Sequence, residues 1–326
     1  FKGGTERLEN VLKATSEFTG EYASFSDNSP VFVLTPEYDQ ANHAMHLAVR
    51  PDTAAPEVQP GLSGKTNRML LEGAMLMQRY LPLDPCMGQT RSSWAHALGG
   101  WEQQDGRAGR AGYDATHYGV TAGGDVCVNR TKVGLNVAYL SSDAKSRNIA
   151  QTHNVNADTW QVGVYAIQPV ADAWDVDAEA AYGHASIRTD RVLGSFGKLA
   201  RSKTSADILR AGLGLNYRFT RDALSLSPFV RADYVQVGTH GYREWNAEAF
   251  NLTVNRQSTK AIYASVGLRA LYNPTERLTV KGKVAVAADL YNEGNDLTVA
   301  VRDAQDKPFT VQNPELGRFV GELGLG

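Results

Sequence analysis

The sequence predicts an all-β protein, an antiparallel up-and-down transmembrane β-barrel with one α-helix near its N-terminal end. Three observations predict this class: long alternating strands, connections that are short at one end and long at the other, and charges confined to one strand face. In residues 112–128, Tyr118 and Val120 share one face. His117 and Asp125 share the other face. In a membrane barrel the apolar face meets lipid and the polar face lines the lumen.

Composition limits the possible partners. The 326 residues include 33 Lys or Arg and 35 Asp or Glu, a formal net charge of -2. Nucleic-acid binding proteins usually carry a basic stripe, so no nucleic-acid partner is predicted. The sequence has no run of about 18 apolar residues, the signal of a transmembrane helix. A mean hydropathy of -0.34 fits a barrel, because its strands alternate apolar and polar residues.

The chain divides into three segments. Residues 1–50 contain two or three short strands separated by Asn, Asp and Pro turn residues. Residues 51–88 form a linker with a helix predicted at about 65–81, which Pro82 ends. Residues 89–326 form the predicted barrel.

Ten strands are predicted in the barrel segment, each of about ten to seventeen residues. Strands of globular proteins usually have about five or six, whereas a tilted strand crosses a bilayer in about nine to eleven. The predicted strands lie at 91–103, 112–128, 132–142, 153–168, 173–187, 203–219, 223–238, 257–272, 276–291 and 315–326. Short connections lie at 129–132, 169–172, 220–223 and 273–276, and long polar ones at 104–111, 143–152, 188–202, 239–256 and 292–314. Outer-membrane barrels place short turns in the periplasm and long loops outside.

The polar faces of these strands carry many charged residues. Burying an unpaired charge costs several kcal/mol, whereas a hydrated lumen removes that difficulty. The predicted lumen wall consists of Asp125, Asp175, Asp177, Glu179, Arg210, Arg231, Asp233, Lys281 and Lys283. Asp175, Asp177 and Glu179 share one strand face and could imitate a carboxylate site. A charged lumen wall that faces the basic residues of this list explains them better. The alternative fold is a large soluble β-sandwich with one polar face per sheet.

No catalytic, cofactor or metal site is predicted. The sequence contains none of the motifs for a nucleophile elbow, a zinc protease, a phosphate-binding loop or a paired-cysteine site. His43 and His46 are three positions apart, which places them on opposite faces of a strand. The sequence does not allow a cluster of serine, histidine and acid to be assembled at one rim.

Cys86 precedes the first barrel strand, and Cys127 lies at the end of the second. In an antiparallel hairpin those positions are neighbours at the periplasmic rim, and the periplasm is oxidising. A Cys86–Cys127 disulfide is therefore predicted, with two free buried thiols as the alternative.

Residues 91–144 resemble the start of an autotransporter β-domain, the translocator of type V secretion. The pattern is a first strand led by Trp and ending in Gly-Gly-Trp, followed by GYDAT, AGGD, VG and Tyr. The matching residues are Trp94, Gly99, Gly100, Trp101, Gly112, Tyr113, Asp114, Gly119, Gly123, Asp125, Gly134 and Tyr139. Residues 225–235 resemble a further strand of the family. Residues 1–50 resemble the C-terminal stub of a passenger β-helix.

The resemblance implies a twelve-stranded barrel in the Gram-negative outer membrane, with the linker helix threaded through its lumen. Such a protein exports its own N-terminal passenger, anchors it at the cell surface, and is not an enzyme. The implied partners are the lipid bilayer, the passenger, the barrel assembly machinery and periplasmic chaperones, and the implied state is a monomer. About ten strands are visible here, so the last strands of the family fold are expected to be missing after Gly326.

The resemblance also gives the helix the role of a plug after export. The polar residues expected to meet charged groups of the lumen are Arg68, Glu72, Gln78 and Arg79. Its period alone indicates only an amphipathic helix, which could equally pack at an interface. Some relatives cut their linker at an Asn pair, whose place is taken here by Ser63 and Gly64, so self-cleavage of that kind is not expected.

Other classes of function stay open at this point. The favoured one is the secretion translocator. The second is a selective outer-membrane pore or a barrel enzyme, in which residues 1–50 form a plug or a periplasmic domain. The third is a soluble β-rich adhesin domain, which would stay in solution without detergent.

Overall fold

The structure is a computed structural model. It describes residues 6–16, 26, 29, 32–52, 62–86, 90–106, 112–147, 153–275, 278–293, 296–301, 308–311 and 319–325. These residues form β-strands, one α-helix, α1 (Ser63–Arg79), and two 3₁₀ turns at Gly194–Phe196 and Glu248–Phe250. None of the helices in this part of the chain has both the length and the hydropathy of a membrane-crossing helix.

The strands are numbered in chain order. They are β1 (Glu6–Lys13), β2 (Phe32–Asp39), β3 (Ala44–Pro51), β4 (Arg91–Gln104), β5 (Gly112–Val128), β6 (Thr131–Arg147), β7 (Asn154–Pro169), β8 (Trp174–Leu193), β9 (Lys198–Tyr217), β10 (Phe219–Arg221), β11 (Leu224–Thr239), β12 (Tyr242–Arg243), β13 (Leu252–Val254), β14 (Gln257–Thr275), β15 (Leu278–Glu293), β16 (Leu297–Val301), β17 (Phe309–Val311) and β18 (Phe319–Leu325).

The largest sheet is an antiparallel meander that curls around α1. Its order is β18-β15-β14-β11-β9-β8-β7-β6-β5-β4, and the short β10 pairs with β11. Each of the ten strands predicted from the sequence corresponds to one strand of this path. The all-β, antiparallel up-and-down architecture with an enclosed N-terminal helix is therefore confirmed. Among the described residues, pairing runs from β18 to β4 without joining these two end strands.

The two faces of this sheet differ in the way a membrane barrel requires. On the outer face, Leu135 and Val266 are 62% and 61% exposed. On the inner face, Asp177 and Arg210 are almost completely buried. A soluble sandwich would bury its apolar face instead, so the distribution supports an apolar outer band for lipid and a polar interior.

Two predicted long loops, 239–256 and 292–314, are not simply loops. They contain four short strands that form a separate antiparallel sheet in the order β12-β13-β16-β17. The side chains that pack inside this sheet are Tyr242, Leu252, Val254, Leu297, Val299, Val301, Val311 and Phe309. Sequence alternation missed these strands because they have only two to five residues each. In addition, the pairing of β13 with β16 joins two different loops.

The predicted loop at 188–202 is also wrong. Strand β8 continues to Leu193 and β9 starts at Lys198, so the hairpin extends well past the predicted strand ends. A single 3₁₀ turn closes it, followed by Gly197 with φ of 59°. This stretch lies at the ends of β8 and β9, beyond the apolar outer band of the sheet. Its residues can therefore be polar on both faces of the hairpin.

The N-terminal strands form a three-stranded sheet in the order β1-β3-β2. Both pairings are antiparallel, whereas the rungs of a β-helix stack in parallel, so these strands lend the β-helix interpretation no support. The turn between β2 and β3 is fixed by Asp39, which accepts hydrogen bonds from the side chain and backbone N–H of Asn42. These bonds, the side-chain one foremost, lower the pKa of the Asp39 carboxyl.

Candidate functional site in the lumen

The helix α1 runs through the curled sheet in a defined direction. Its first turn packs against Tyr113, Ala144 and Val155, at the ends of strands that carry the long connections. The chain leaving its last turn packs through Leu81 and Leu83 in one cluster with residues of β7 near a short turn. The segment before α1 therefore joins it at the long-loop end, and the barrel strands follow from the short-turn end.

A buried ion pair fixes the helix to the wall. Arg68 Nη1 lies 2.9 Å from Asp289 Oδ2 on β15, and Arg68 Nη2 lies 2.8 Å from Glu72 Oε1. The hydroxyl of Tyr263 on β14 donates to Glu72 at 3.2 Å. All four residues are buried. The pairing of Arg68 with Glu72 and Asp289 thus compensates charges that are held away from bulk water.

Asn67 is a further anchor that the sequence analysis missed. Its side-chain amide donates to Thr259 Oγ1 at 2.9 Å and accepts a hydrogen bond from the hydroxyl of Thr239. These threonines lie on β11 and β14, the strands that face this side of the helix. The available signal was a single Asn beside Arg68 in a largely apolar helix, but its partners depend on the curl of the sheet.

Gly73 brings the helix backbone close to a polar group on the wall. The space where its Cβ would stand is bordered by Leu140, His117 and Ser142. His117 Nδ1 lies 2.8 Å from Ser142 Oγ, and its Nε2 lies 4.0 Å from Glu102 Oε2. The structure thus assembles a serine, histidine and acid where the sequence analysis found none. They lie beneath the packed helix rather than at a rim.

The most strongly charged part of the wall joins β8, β9 and β11. Arg231 lies 2.9 Å from Glu179 and 2.8 Å from Asp233, and it also contacts Asp177. Arg210 contacts Glu179 as well. All five side chains are buried. The structure therefore brings these predicted wall residues into one ionic cluster.

The remaining predicted residues are dispersed. Asp175 is buried, 3.6 Å from Arg218. Lys281 pairs with Asp84 at 3.2 Å rather than with the acidic wall. The ammonium of Lys283 lies over the Phe229 ring. On the helix, Gln78 is buried and Arg79 lies 3.9 Å from Glu72.

Near the short-turn end, the ring of Tyr165 occupies the space beside Gly134, which has no side chain. Tyr165 on β7 covers Gly134 on β6, where a Cβ would overlap its ring. The Tyr165 hydroxyl donates to Asp125 at 2.8 Å and accepts from Trp94 Nε1 at 2.9 Å. Ser92 also donates to Asp125 at 2.6 Å. Asp125 therefore links β4, β5 and β7.

Replacing Gly134 with Val is expected to displace the Tyr165 ring and to lower the free energy of unfolding by about 1–3 kcal/mol, the usual cost of overpacking. Urea titration in detergent, followed by tryptophan fluorescence, measures the change. Gly99→Val is the matched control, since a Cβ at Gly99 meets no heavy atom within 4 Å. Equal effects of the two variants would contradict the steric explanation.

Cys86 and Cys127 form a disulfide, with their Cα atoms 6.0 Å apart. It joins the segment after α1 to the end of β5, beside the short turn between β5 and β6. The bond closes a loop with a sequence separation of 41 residues.

Replacing both cysteines with serine is expected to lower the free energy of unfolding by about 4 kcal/mol, because the chain-entropy model assigns roughly that value to a loop of this length. The shift of the urea midpoint between the variant and the oxidised protein measures it. Reduction of the unmodified protein should reproduce the shift. An unchanged midpoint in both cases would show that the loop contributes nothing.

The described residues contain no group of three or more His, Cys, Asp or Glu side chains placed to hold a metal ion. What the lumen presents instead is a helix held by ion pairs inside a curled, outwardly apolar sheet. This arrangement defines the class of membrane barrels filled by an N-terminal helix.

Comparison with known proteins identifies the family within that class. The autotransporter β-domain family matches residues 93–326, and the chain belongs to this family. The translocator domain of the autotransporter NalP from Neisseria meningitidis has the same fold, with a TM-score of 0.60 at 12% identity. The similarity covers 74% of this chain and 87% of that domain.

Two curated relatives are much longer than this chain. The esterase EstA of Pseudomonas aeruginosa is 22% identical over an alignment of 248 residues, and the match covers 73% of this chain and 38% of the relative. An extracellular serine protease of Serratia marcescens is 25% identical over 201 residues, which are 61% of this chain and 18% of the relative. The chain thus spans less than two fifths of either relative.

Proposed function

We propose that this chain is the translocator of an autotransporter, which exports the polypeptide that precedes α1 and then anchors it. The observation that carries the proposal is the direction of α1. Outer-membrane barrels place their long loops outside the cell. A helix that enters at the long-loop end and leaves at the short-turn end connects an outside N-terminal segment to a barrel in the membrane.

The chemistry of the lumen supports both stages of this function. Before the helix settles, a wall that carries both signs of charge stays hydrated and accepts an extended chain of mixed composition. Once the helix is in place, Asn67, Arg68 and Glu72 are hydrogen-bonded or paired and exclude water from the contact. The helix then acts as the plug that keeps the membrane sealed.

The family implies the Gram-negative outer membrane as the location and a passenger as the first partner. We place residues 1–50 at the cell surface as the end of that passenger. Residues 51–88 form the linker and pore helix, and residues 89–326 form the barrel. The barrel assembly machinery and periplasmic chaperones complete the proposed set of partners, because a strand-rich chain needs help to cross the periplasm unfolded.

We assign no catalytic role to the barrel. The relatives named as an esterase and a serine protease are far longer than this chain, so their activities belong to those whole proteins. Any activity of the passenger here would lie upstream of α1. The cluster of His117, Ser142 and Glu102 is covered by the helix, and we assign it a packing role at Gly73.

Surface delivery tests the proposal directly. The chain is expressed in a Gram-negative host behind a signal peptide, with an epitope before Phe1, and intact cells are treated with antibody and protease. We expect the epitope to be accessible to both and the barrel to be recovered in the outer-membrane fraction. An epitope that stays protected while the barrel is recovered in that fraction would overturn the export function.

Conductance separates the translocator from the alternative of a selective pore. In planar bilayers the plugged translocator should conduct little, and a variant lacking residues 63–79 should conduct far more. An intact chain that conducts as well as this variant would favour the pore. The soluble adhesin alternative would instead give a protein that stays in buffer without detergent.

A further inference from the structure

The long-loop end of the barrel carries a folded structure that export by itself does not require. We call it the outer cap. It consists of the tip of the β8–β9 hairpin (residues 190–201), the connection 240–256, and strands β16 and β17. The four-stranded sheet β12-β13-β16-β17 forms one half of the cap, and the hairpin tip forms the other.

A buried ion pair holds the two halves together. Arg191 in the hairpin donates from Nε to Glu244 Oε1 at 2.9 Å, and its Nη2 donates to the carbonyl of Phe250 at 2.8 Å. Glu244 also accepts the backbone N–H of Leu252 at 2.8 Å. Both charged side chains are 3% exposed. Such an arrangement fixes the connection to the hairpin as one rigid unit.

Backbone contacts reinforce this unit. Arg201 and Trp245 exchange two backbone hydrogen bonds of 3.0 and 2.9 Å, in the manner of a short antiparallel bridge. The side-chain amide of Asn246 donates to the carbonyl of Leu199 at 3.0 Å. A loop that only closed the barrel would need none of these contacts.

The cap presents aromatic side chains to the N-terminal sheet. Phe196 and Phe250 stack with ring centroids 4.2 Å apart, over Leu193 and Ala247. Phe32, the first residue of β2, is partly buried and packs against the same hydrophobic cluster as Phe196, Phe250 and Phe309. Through this shared cluster Phe32 connects the N-terminal sheet to both halves of the cap.

The path of the chain agrees with this contact. Phe32 pairs with Pro51 at the last position of β3, so it lies at the end of the N-terminal sheet from which the chain continues towards α1. The eleven residues 52–62 that separate β3 from α1 span at most about 36–40 Å when extended. The sheet is therefore tethered within reach of the cap.

We propose that the outer cap is a docking platform for residues 32–51, which fixes the last part of the exported polypeptide at the pore mouth. Strands β2 and β3 then gain an apolar contact that a three-stranded sheet alone lacks, and they offer a preformed edge to the polypeptide upstream. This inference rests on the proposed export function, because it concerns how the exported segment is held after it emerges.

Protease protection on intact cells tests the platform. In the full chain, Phe196→Ala with Phe250→Ala is expected to speed cleavage within residues 1–51 by about tenfold or more, because cleavage follows the population of the undocked state. Phe219→Ala, at the short-turn end, is the matched control and should leave the rate unchanged. Equal rates in all three proteins would overturn the proposal.

A crosslinking measurement covers the case in which the double variant fails to fold. A short bis-maleimide is expected to join the two thiols of Phe32→Cys with Phe309→Cys on intact cells, but not those of Phe32→Cys with Phe219→Cys. Equal crosslinking of both pairs, or of neither, would contradict docking. The epitope before Phe1 is scored in the same cells. Loss of export removes the epitope from the surface, whereas loss of docking leaves it accessible.

Discussion

Replacement of Arg231 with Met is expected to lower the free energy of unfolding by about 3–5 kcal/mol, the usual cost of removing one member of a buried charge cluster. Asp177, Glu179 and Asp233 all contact Arg231, and Arg210 would be left as the only basic group of the cluster. Three carboxylates with one cation cannot be compensated inside the wall. Urea titration of the barrel in detergent, read by tryptophan fluorescence, measures the loss.

Arg201 supplies a matched control for this prediction. It lies 3.6 Å from Asp190, and the two side chains are 53% and 44% exposed. Arg201→Met should therefore cost less than about 1 kcal/mol, as is usual for exposed pairs. If the Arg231 variant lost no more stability than the Arg201 variant, the cluster would not be a stabilising part of the wall.

Replacement of Arg68 with Met is expected to release the helix. It leaves Glu72 and Asp289 buried without their shared cation, which should weaken the docking of α1 by about 3 kcal/mol or more. The open fraction in planar bilayers should rise accordingly, while the urea midpoint of the barrel strands changes less. A higher open fraction with a nearly unchanged urea midpoint indicates that the helix plug is loosened. A large fall in the midpoint would indicate that the barrel itself is destabilised.

A second variant makes this prediction stricter. Arg68→Met combined with Glu72→Gln and Asp289→Asn removes all three charges, and a neutral set should recover part of the closed fraction, since the cost lies in two buried carboxylates that have lost Arg68. Arg7→Met, which removes an exposed pair with Glu37 in the N-terminal sheet, should leave conductance unchanged. A triple variant that is more open than Arg68→Met alone would contradict the electrostatic account.

The strands of the barrel could be predicted because each extends over many residues with one face in lipid. The predicted 112–128 coincides with β5, and the other nine strands differ only at their ends. Alternation over that length is a signal that a single sequence contains. The same signal is too weak in β13 and β17, which have three residues each, so the sequence predicts loops where the outer cap lies.

The sequence predicts the helix at 65–81, two residues later than the observed Ser63–Arg79. The polar residues of the lumen could be named from their face, but their partners could not. Asp289 meets Arg68 although 221 residues separate them, and Lys281 meets Asp84 instead of the acidic wall. These pairings depend on how far the sheet curls and on how α1 is rotated within it. The alternation of residues along a single strand predicts neither the curl of the sheet nor the rotation of the helix.

The disulfide at the short-turn end has a mechanical consequence. A pulling force on the surface segment would travel down α1 and reach Cys86. Without the crosslink, the tension would pass next into β4, an end strand of the described sheet, and would peel it away one hydrogen bond at a time. With the disulfide, part of the force passes through Cys127 into β5. This strand is hydrogen-bonded to β4 on one side and to β6 on the other. The disulfide therefore distributes a force that would otherwise separate an end strand over several hydrogen-bonded strands of the sheet.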